Sequence, residues 1–195
     1  MSNSSFAQRL AIRSALPRFS VGMRKTLTIG FLAPLSGPVE SWGLPGLQGC
    51  RLWVDWLNRA GGVLMGGRRF PVRLEAYDCG YDGADALAGA RHLVQEHDAA
   101  LVMMLGGDSF TEVRDYLMGH KVLTSSLLTS DLSPDTPYLI APGESLPIYT
   151  VTAVEWIAKH RSEIKTVALC AQTDALGLPA LAAYRAAFKA VGIEI

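Results

Sequence analysis

The chain has 195 residues, is 49% apolar, and balances 18 basic against 18 acidic side chains. That is a globular composition with length enough for a substantial core. It leaves no electrostatic footprint for nucleic acid or a membrane surface, and no apolar run reaches the roughly 18 residues that span a bilayer.

Residues 1–22 hold Arg9, Arg13 and Arg18, several serines and no acid. They lack the apolar stretch and cleavage site of a secretory signal. The expectation is a disordered or mis-assigned tail with Met23 as the working initiator, an Arg- and Ser-rich targeting peptide being the weaker alternative. Leu27 to Ala33 then reads as a buried strand. A loop broken by Pro34, Gly37 and Pro38 and holding Trp42 leads to a helix from about Pro45 to Ala60. Glycines at 61 and 62 end that helix, and Met65-Gly66-Gly67 makes a turn. The next strand runs from Phe70 to Tyr77. Asp82 or Asp85 is a plausible N-cap for a helix burying Ala86, Ala90, Leu93 and Val94.

Ala99 to Leu105 is a short continuous apolar run, the mark of a central parallel strand. After Gly106-Gly107-Asp108, Ser109 and Glu112 have capping-box spacing for a further helix. Lys121–Thr124 and Tyr138–Ala141 read as short strands around a polar loop. A helix begins near Pro147, Val167 to Ala171 reads as a buried strand, and a helix follows from about Gly177 to Val191. Ile193–Ile195 looks like the opening of another strand. Strands alternating with helices give an α/β, doubly wound parallel sheet. The units after Ser145 have too few strands to cover both faces with helices, which suggests a truncated chain or a missing partner.

Cys50, Cys79 and Cys170 are scattered and odd in number, so neither a disulfide framework nor a metal site is expected. Cys50 and Cys170 fall in apolar patterns and are expected in the core. Cys79 falls in a loop and is free to reach solvent. His92, His97, His120 and His160 lack metal-ligand spacing. His92 and His97 would lie on different faces of one helix, and all four are expected to be solvated. No nucleophile elbow or Ser/His/Asp set is visible, and no metal or other cofactor is implied. Gly61 to Arg68 lacks the Lys-Ser/Thr ending of a phosphate loop and lies between a helix and a strand, the reverse of that motif. Gly43, Gly46 and Gly49 sit between strand and helix, but at the wrong spacing for a dinucleotide fingerprint.

Ligands of open α/β sheets sit at the carboxyl ends of the strands. Three features fall there. Gly106-Gly107-Asp108-Ser109 would aim helix N–H groups at an anion. Thr129-Ser130-Asp131 is a hydroxyl-rich loop. Trp42 offers a platform for an apolar ligand portion.

IGFLAPLSGPVESWG at 29–43, LNRAGGV at 57–63, EAYDCGYDGADA at 75–86, the LTSSLLTSDLS loop and IAPGES at 140–145 carry a resemblance, in the right order, from about Thr26 to the end. The chain resembles the leucine/isoleucine/valine-type, or type I periplasmic, solute-binding proteins of ABC transporters. The resemblance implies a periplasmic binding protein-like I fold: residues 23–143 as lobe I and 144–195 as the beginning of lobe II, with a hinged cleft between them. It implies no enzymatic activity, a small-molecule ligand such as an amino acid, amide or aromatic acid, and an ABC permease as partner. It implies a periplasmic location, although no secretion signal is visible. Trp42 matches the cleft tryptophan, Asp108 and Ser109 the helix start that takes the ligand carboxylate, and Leu127 and Thr129 the loop that gives a carbonyl and a hydroxyl. Asp108 replaces a usual serine and would repel a carboxylate. Leu176 replaces a ligand-facing tyrosine. An amide, a cation or an aromatic compound is therefore open beside an amino acid. The alternatives are a cytoplasmic ligand-sensing regulator on the same fold and a nucleotide-dependent Rossmann-like enzyme.

Overall fold

A computed structural model describes residues 26–143 and 146–195; the side chains of Asp108, Leu146, Pro147 and Tyr149 are not described. The expectations for residues 1–22 and Met23 lie outside the described residues. Five parallel strands make the central sheet, in the order β4-β1-β5-β6-β7. They are β1 (Leu27–Ala33), β4 (Val72–Asp78), β5 (Leu101–Met104), β6 (Leu123–Ser126) and β7 (Leu139–Ile140). β1 pairs with β4 along its whole length and with β5 on its other side. Both its edges are therefore paired, and its side chains pack against helices on both faces, which is why it reads as one apolar run.

Helices flank the sheet on both sides, so the doubly wound reading holds. Alternate side chains of each strand divide between two cores. Leu32, Val102, Met104 and Leu139 face α2 (Gly83–Arg91) and α3 (Asp108–Gly119), around Ala86, Ala90, Leu93, Val113 and Leu117. Ile29, Phe31 and Ala33 face α1 (Glu40–Arg59), packing on Leu47 and Val54.

α1 starts five residues before the expected Pro45, so Trp42 stands in its first turn rather than in a loop. A proline inside a helix removes one backbone bond, and for that reason the pattern alone places it at the start. Tertiary contact overrides it. A Cβ at Gly43 would sit 1.8 Å from the Pro34 carbonyl oxygen, so the helix start is pressed against the loop it leaves. A small hairpin, β2 (Val63–Met65) with β3 (Arg68–Phe70), occupies the stretch read as turn and strand start. Its two-residue link, Gly66-Gly67, has positive φ at both positions, matching hairpin twist.

Asp82 caps α2 by accepting from the Asp85 N–H at 3.0 Å. The expected capping box on α3 does not form: the N-cap is Gly107 at φ 67, and Ser109 lies inside the helix. The expectations for Cys79 and Cys170 reverse, whereas Cys50 packs against the Phe31, Ala33 and Leu47 core as expected. Cys79 is buried where the β4 exit turns under α2, Cys50 is half-buried, and Cys170 is exposed. His92 and His97 do not diverge. α2 runs into a π-turn at His92–Glu96, which stacks residues five apart instead of splaying them by roughly 140°.

The second region holds α4 (Leu146–His160) and α5 (Gly177–Ala190), joined by a core of Val154, Phe188 and Ile193. The expected strands at Val167–Ala171 and Ile193–Ile195 reduce to one parallel bridge, Thr166 to Glu194. A ladder needs a neighbour over several residues. Among the described residues only Glu194 pairs here, and Ala168, Cys170 and Ala171 stay exposed.

Candidate functional site

The carboxyl ends of β1, β4, β5, β6 and β7 lie along one rim, because all five strands run parallel. There they meet the segment that precedes α5. Together they enclose a cavity of about 560 Å³. Each strand exit contributes: Trp42 after β1, Tyr81 after β4, Leu105 after β5, Leu127 and Leu128 after β6, and Gly143 after β7. Gln172, Asp174 and Leu176 close the other side.

Trp42 is 69% exposed, so most of its ring is available as an apolar platform. The loop ahead of it is fixed by Asp78 at the end of β4. Asp78 accepts from the Leu35 N–H at 2.7 Å and the Gly80 N–H at 2.9 Å. The Ser36 hydroxyl, with these N–H groups, holds its carboxyl below the usual range. Tyr81 has a backbone φ of 68°, a conformation costing an aromatic residue roughly 1–2 kcal/mol, which the packed rim must supply. Asp174 spends one oxygen at the start of α5, accepting from the Leu176 N–H at 3.1 Å and the Gly177 N–H at 2.6 Å.

The structure therefore brings together three of the residues singled out by sequence, Trp42, Leu127 and Leu176. Ser109 is not with them. It is 1% exposed, and its hydroxyl donates to the Gly106 carbonyl at 2.9 Å. Thr129 lies in a single 3₁₀ turn, Thr129–Asp131, and is not among the cavity-lining residues. The Asp108 side chain lies outside the described residues.

The Gly106-Gly107 turn differs most from the anion site expected of it. The Asp131 carboxylate occupies the place of an anion, accepting from the Gly107 N–H at 3.3 Å and from the Ser126 hydroxyl at 2.5 Å. A Cβ at Gly106 would lie 2.2 Å from the Ser126 hydroxyl and 2.5 Å from that carboxylate. Only glycine, at φ 98, lets the two loops touch. Burial pushes the Asp131 carboxyl up, against the two hydrogen bonds that favour its charge.

Sequence reasoning missed Tyr81, Leu105, Leu128, Gln172 and Asp174. The first three each lie within three residues of a strand's end, so strand-end position alone would have found them. Gln172 and Asp174 arrive from another region and had no local signal. The three glycines at 43, 46 and 49 are not a phosphate cradle: all lie within α1, and the first two approach Pro34 and Phe31.

A family model described as periplasmic binding protein matches residues 26–195. No curated protein sequence matches the chain. Among solved structures, a solute-binding protein of an ABC transporter from Rhodopseudomonas palustris BisB5, in complex with 3,4-dihydroxybenzoic acid, superposes with a TM-score of 0.74 at 20% identity, covering 88% of this chain and 46% of that one. A second R. palustris solute-binding protein, in complex with 4-hydroxybenzoate, gives 0.72 at 23% identity, with 87% and 45% covered. The branched-chain amino acid transporter substrate-binding protein LivJ from Streptococcus pneumoniae, in complex with isoleucine, gives 0.72 at 20% identity, with 88% and 48% covered. The chain thus spans about half the length of these relatives. Over its described length it has their parallel sheet and flanking helices, and it belongs to the periplasmic binding protein family, on the type I fold of ABC-transporter solute-binding proteins.

Proposed function

We propose that the chain supplies the ligand-gripping surface of a non-catalytic, solute-binding component of an ABC importer, working in the periplasm. Residues 23–143 act as lobe I and 144–195 as the opening of lobe II. Of these, residues 26–143 hold five strand exits on one rim, and the 172–176 segment faces them. That convergence on one cavity lined by Trp42 carries the reading. The cavity pairs an apolar wall of Trp42, Leu105, Leu127, Leu128 and Leu176 with polar groups on Ser41, Tyr81, Gln172 and Asp174. A few polar groups on an apolar wall hold a small molecule in one orientation.

The ligand is a small polar or aromatic compound, in the range from amino acids and amides to hydroxylated aromatics. No cationic side chain is among the described lining residues, and the helix start that would take a ligand carboxylate already holds Asp131. Both facts favour an uncharged or cationic compound over a free α-carboxylate. Calorimetry against amino acids, their amides and hydroxybenzoates decides this. The expected result is saturable binding of at least one amide or aromatic compound, weakened at least about tenfold in Trp42→Ala, a loss within the range of an anchoring aromatic. Absence of binding across the panel would overturn the reading. Fractionation of the native host separates a periplasmic importer component from a cytoplasmic regulator on the same fold.

A further inference from the structure

We propose that His92 and His97 form a two-imidazole clamp for a late first-row divalent metal ion of the copper or nickel type. It lies at the β4 edge of the sheet, outside the residues that line the ligand cavity, and it does not rest on the transport reading. The π-turn at His92–Glu96 brings the two rings edge to face, with centroids 4.7 Å apart and Nε2 atoms 3.0 Å apart. Each ring has a carboxylate behind it. His92 Nδ1 lies 3.1 Å from Glu96 Oε2, and His97 Nδ1 lies 3.8 Å from Glu75 Oε1.

The ring-to-ring contact is a hydrogen bond in which one Nε2–H donates to the other Nε2. His97 Nδ1 and Glu75, at 3.8 Å, are too far apart to share a proton. With both protons on the Nδ1 atoms, each Nε2 has a lone pair free, and a divalent metal ion can take the place of the bridging proton. Carboxylates on the far ring nitrogens fix the tautomer and strengthen the imidazoles as ligands. At metal–nitrogen distances of about 2.0–2.1 Å, a 3.0 Å separation of the nitrogens sets an angle of about 91–97° at the metal. That suits the cis positions of a tetragonal ion better than a tetrahedral one.

Among the described residues no three His, Cys, Asp or Glu side chains converge on a common point, so water completes the coordination. Both imidazoles remain open to solvent, with side-chain exposures of 38% and 27%. The other groups facing the pair are Tyr77, with its ring 5.6 Å from that of His92, and Arg73, which shares Glu75 at 3.2 Å. Neither is a metal ligand at neutral pH.

The test is electron paramagnetic resonance of the tag-free chain with substoichiometric Cu²⁺ at pH 7.5, beside competition titration against a chelator. The expected spectrum shows two coupled nitrogens. His92→Asn and His97→Asn each lose the two-nitrogen signal, His120→Asn keeps it, and Glu75→Gln weakens binding roughly tenfold with both nitrogens retained. Acidification to pH 5.5 is expected to release the metal, because binding needs unprotonated imidazole nitrogens. A one-nitrogen or sulfur-ligated spectrum in the unaltered chain overturns the proposal. So does a two-nitrogen signal that survives loss of either histidine. Near-ultraviolet circular dichroism of each variant separates a lost ligand from a lost fold.

Discussion

The two regions of this chain differ in what holds them. Residues 26–143 build a five-stranded sheet and bury side chains on both its faces. Residues 146–195 rest on two helices, a core of three buried apolar side chains and one bridge. Strands in the first region supply each other's hydrogen-bond partners. In the second, an equally apolar stretch, Val167–Ala171, has a single point of pairing. Periodicity marks a segment able to join a sheet, and neighbours decide whether it does.

The sharpest way to break this contrast is Phe188→Ala. Removing that buried ring costs roughly 3–5 kcal/mol. Amide exchange is expected to accelerate across 146–195 while β1, β4 and β5 stay protected. Uniform acceleration would mean that the two regions unfold as one. Leu117→Ala is the counterpart in the sheet region, at about 2–5 kcal/mol, and is expected to lower protection of both α2 and α3, which share its core.

The sheet is also unevenly covered among the described residues. α2 and α3 pack side by side on one face, whereas α1 is the one described helix on the other. Next to α1 lies an open apolar groove of about 370 Å³ lined by Trp53, Leu101, Met103 and Ile140, among others. Trp53 and Trp56 are 46% and 65% exposed on the flank of α1. Such a surface promotes association. Self-association in sizing experiments is expected to fall in the Trp53→Ser, Trp56→Ser double variant. A sharp, cooperative monomer without these changes would count against the groove as its source.

Two carboxylates give smaller effects of opposite sign. The folded state keeps a proton on Asp131 above the ordinary value near 3.9, where the unfolded chain has lost it. Stability therefore falls as pH rises through that window. Asp131→Asn, which can still accept from Gly107 and Ser126, is expected to flatten this slope in pH-dependent melts. Asp78 is held below its ordinary value, so its contribution is present above about pH 4 and lost as pH falls further. It is largely exposed, solvent screens it, and Asp78→Ala is expected to act mainly by loosening the Leu35 loop beneath Trp42.

The sequence by itself determined the order of the sheet region's main elements, the strand–helix alternation that makes the sheet parallel, and the rim that carries the cavity. β1 was legible to the residue because a strand buried on both faces shows as an unbroken apolar run. Trp42 was legible as a rim residue from its place just after β1, and Leu127 and Leu176 through the family resemblance. Tertiary structure decided the rest. It pulled the start of α1 past Pro45, because Gly43 packs on the Pro34 carbonyl. It turned the Gly106-Gly107 anion site inward, because Asp131, 24 residues along the chain, reaches Gly107 first. It buried Cys79 and exposed Cys170, and it stacked His92 on His97 through a π-turn with no periodic signature. Periodicity reports which face of a segment is apolar. Which groups meet across that face depends on distances that only the folded chain sets.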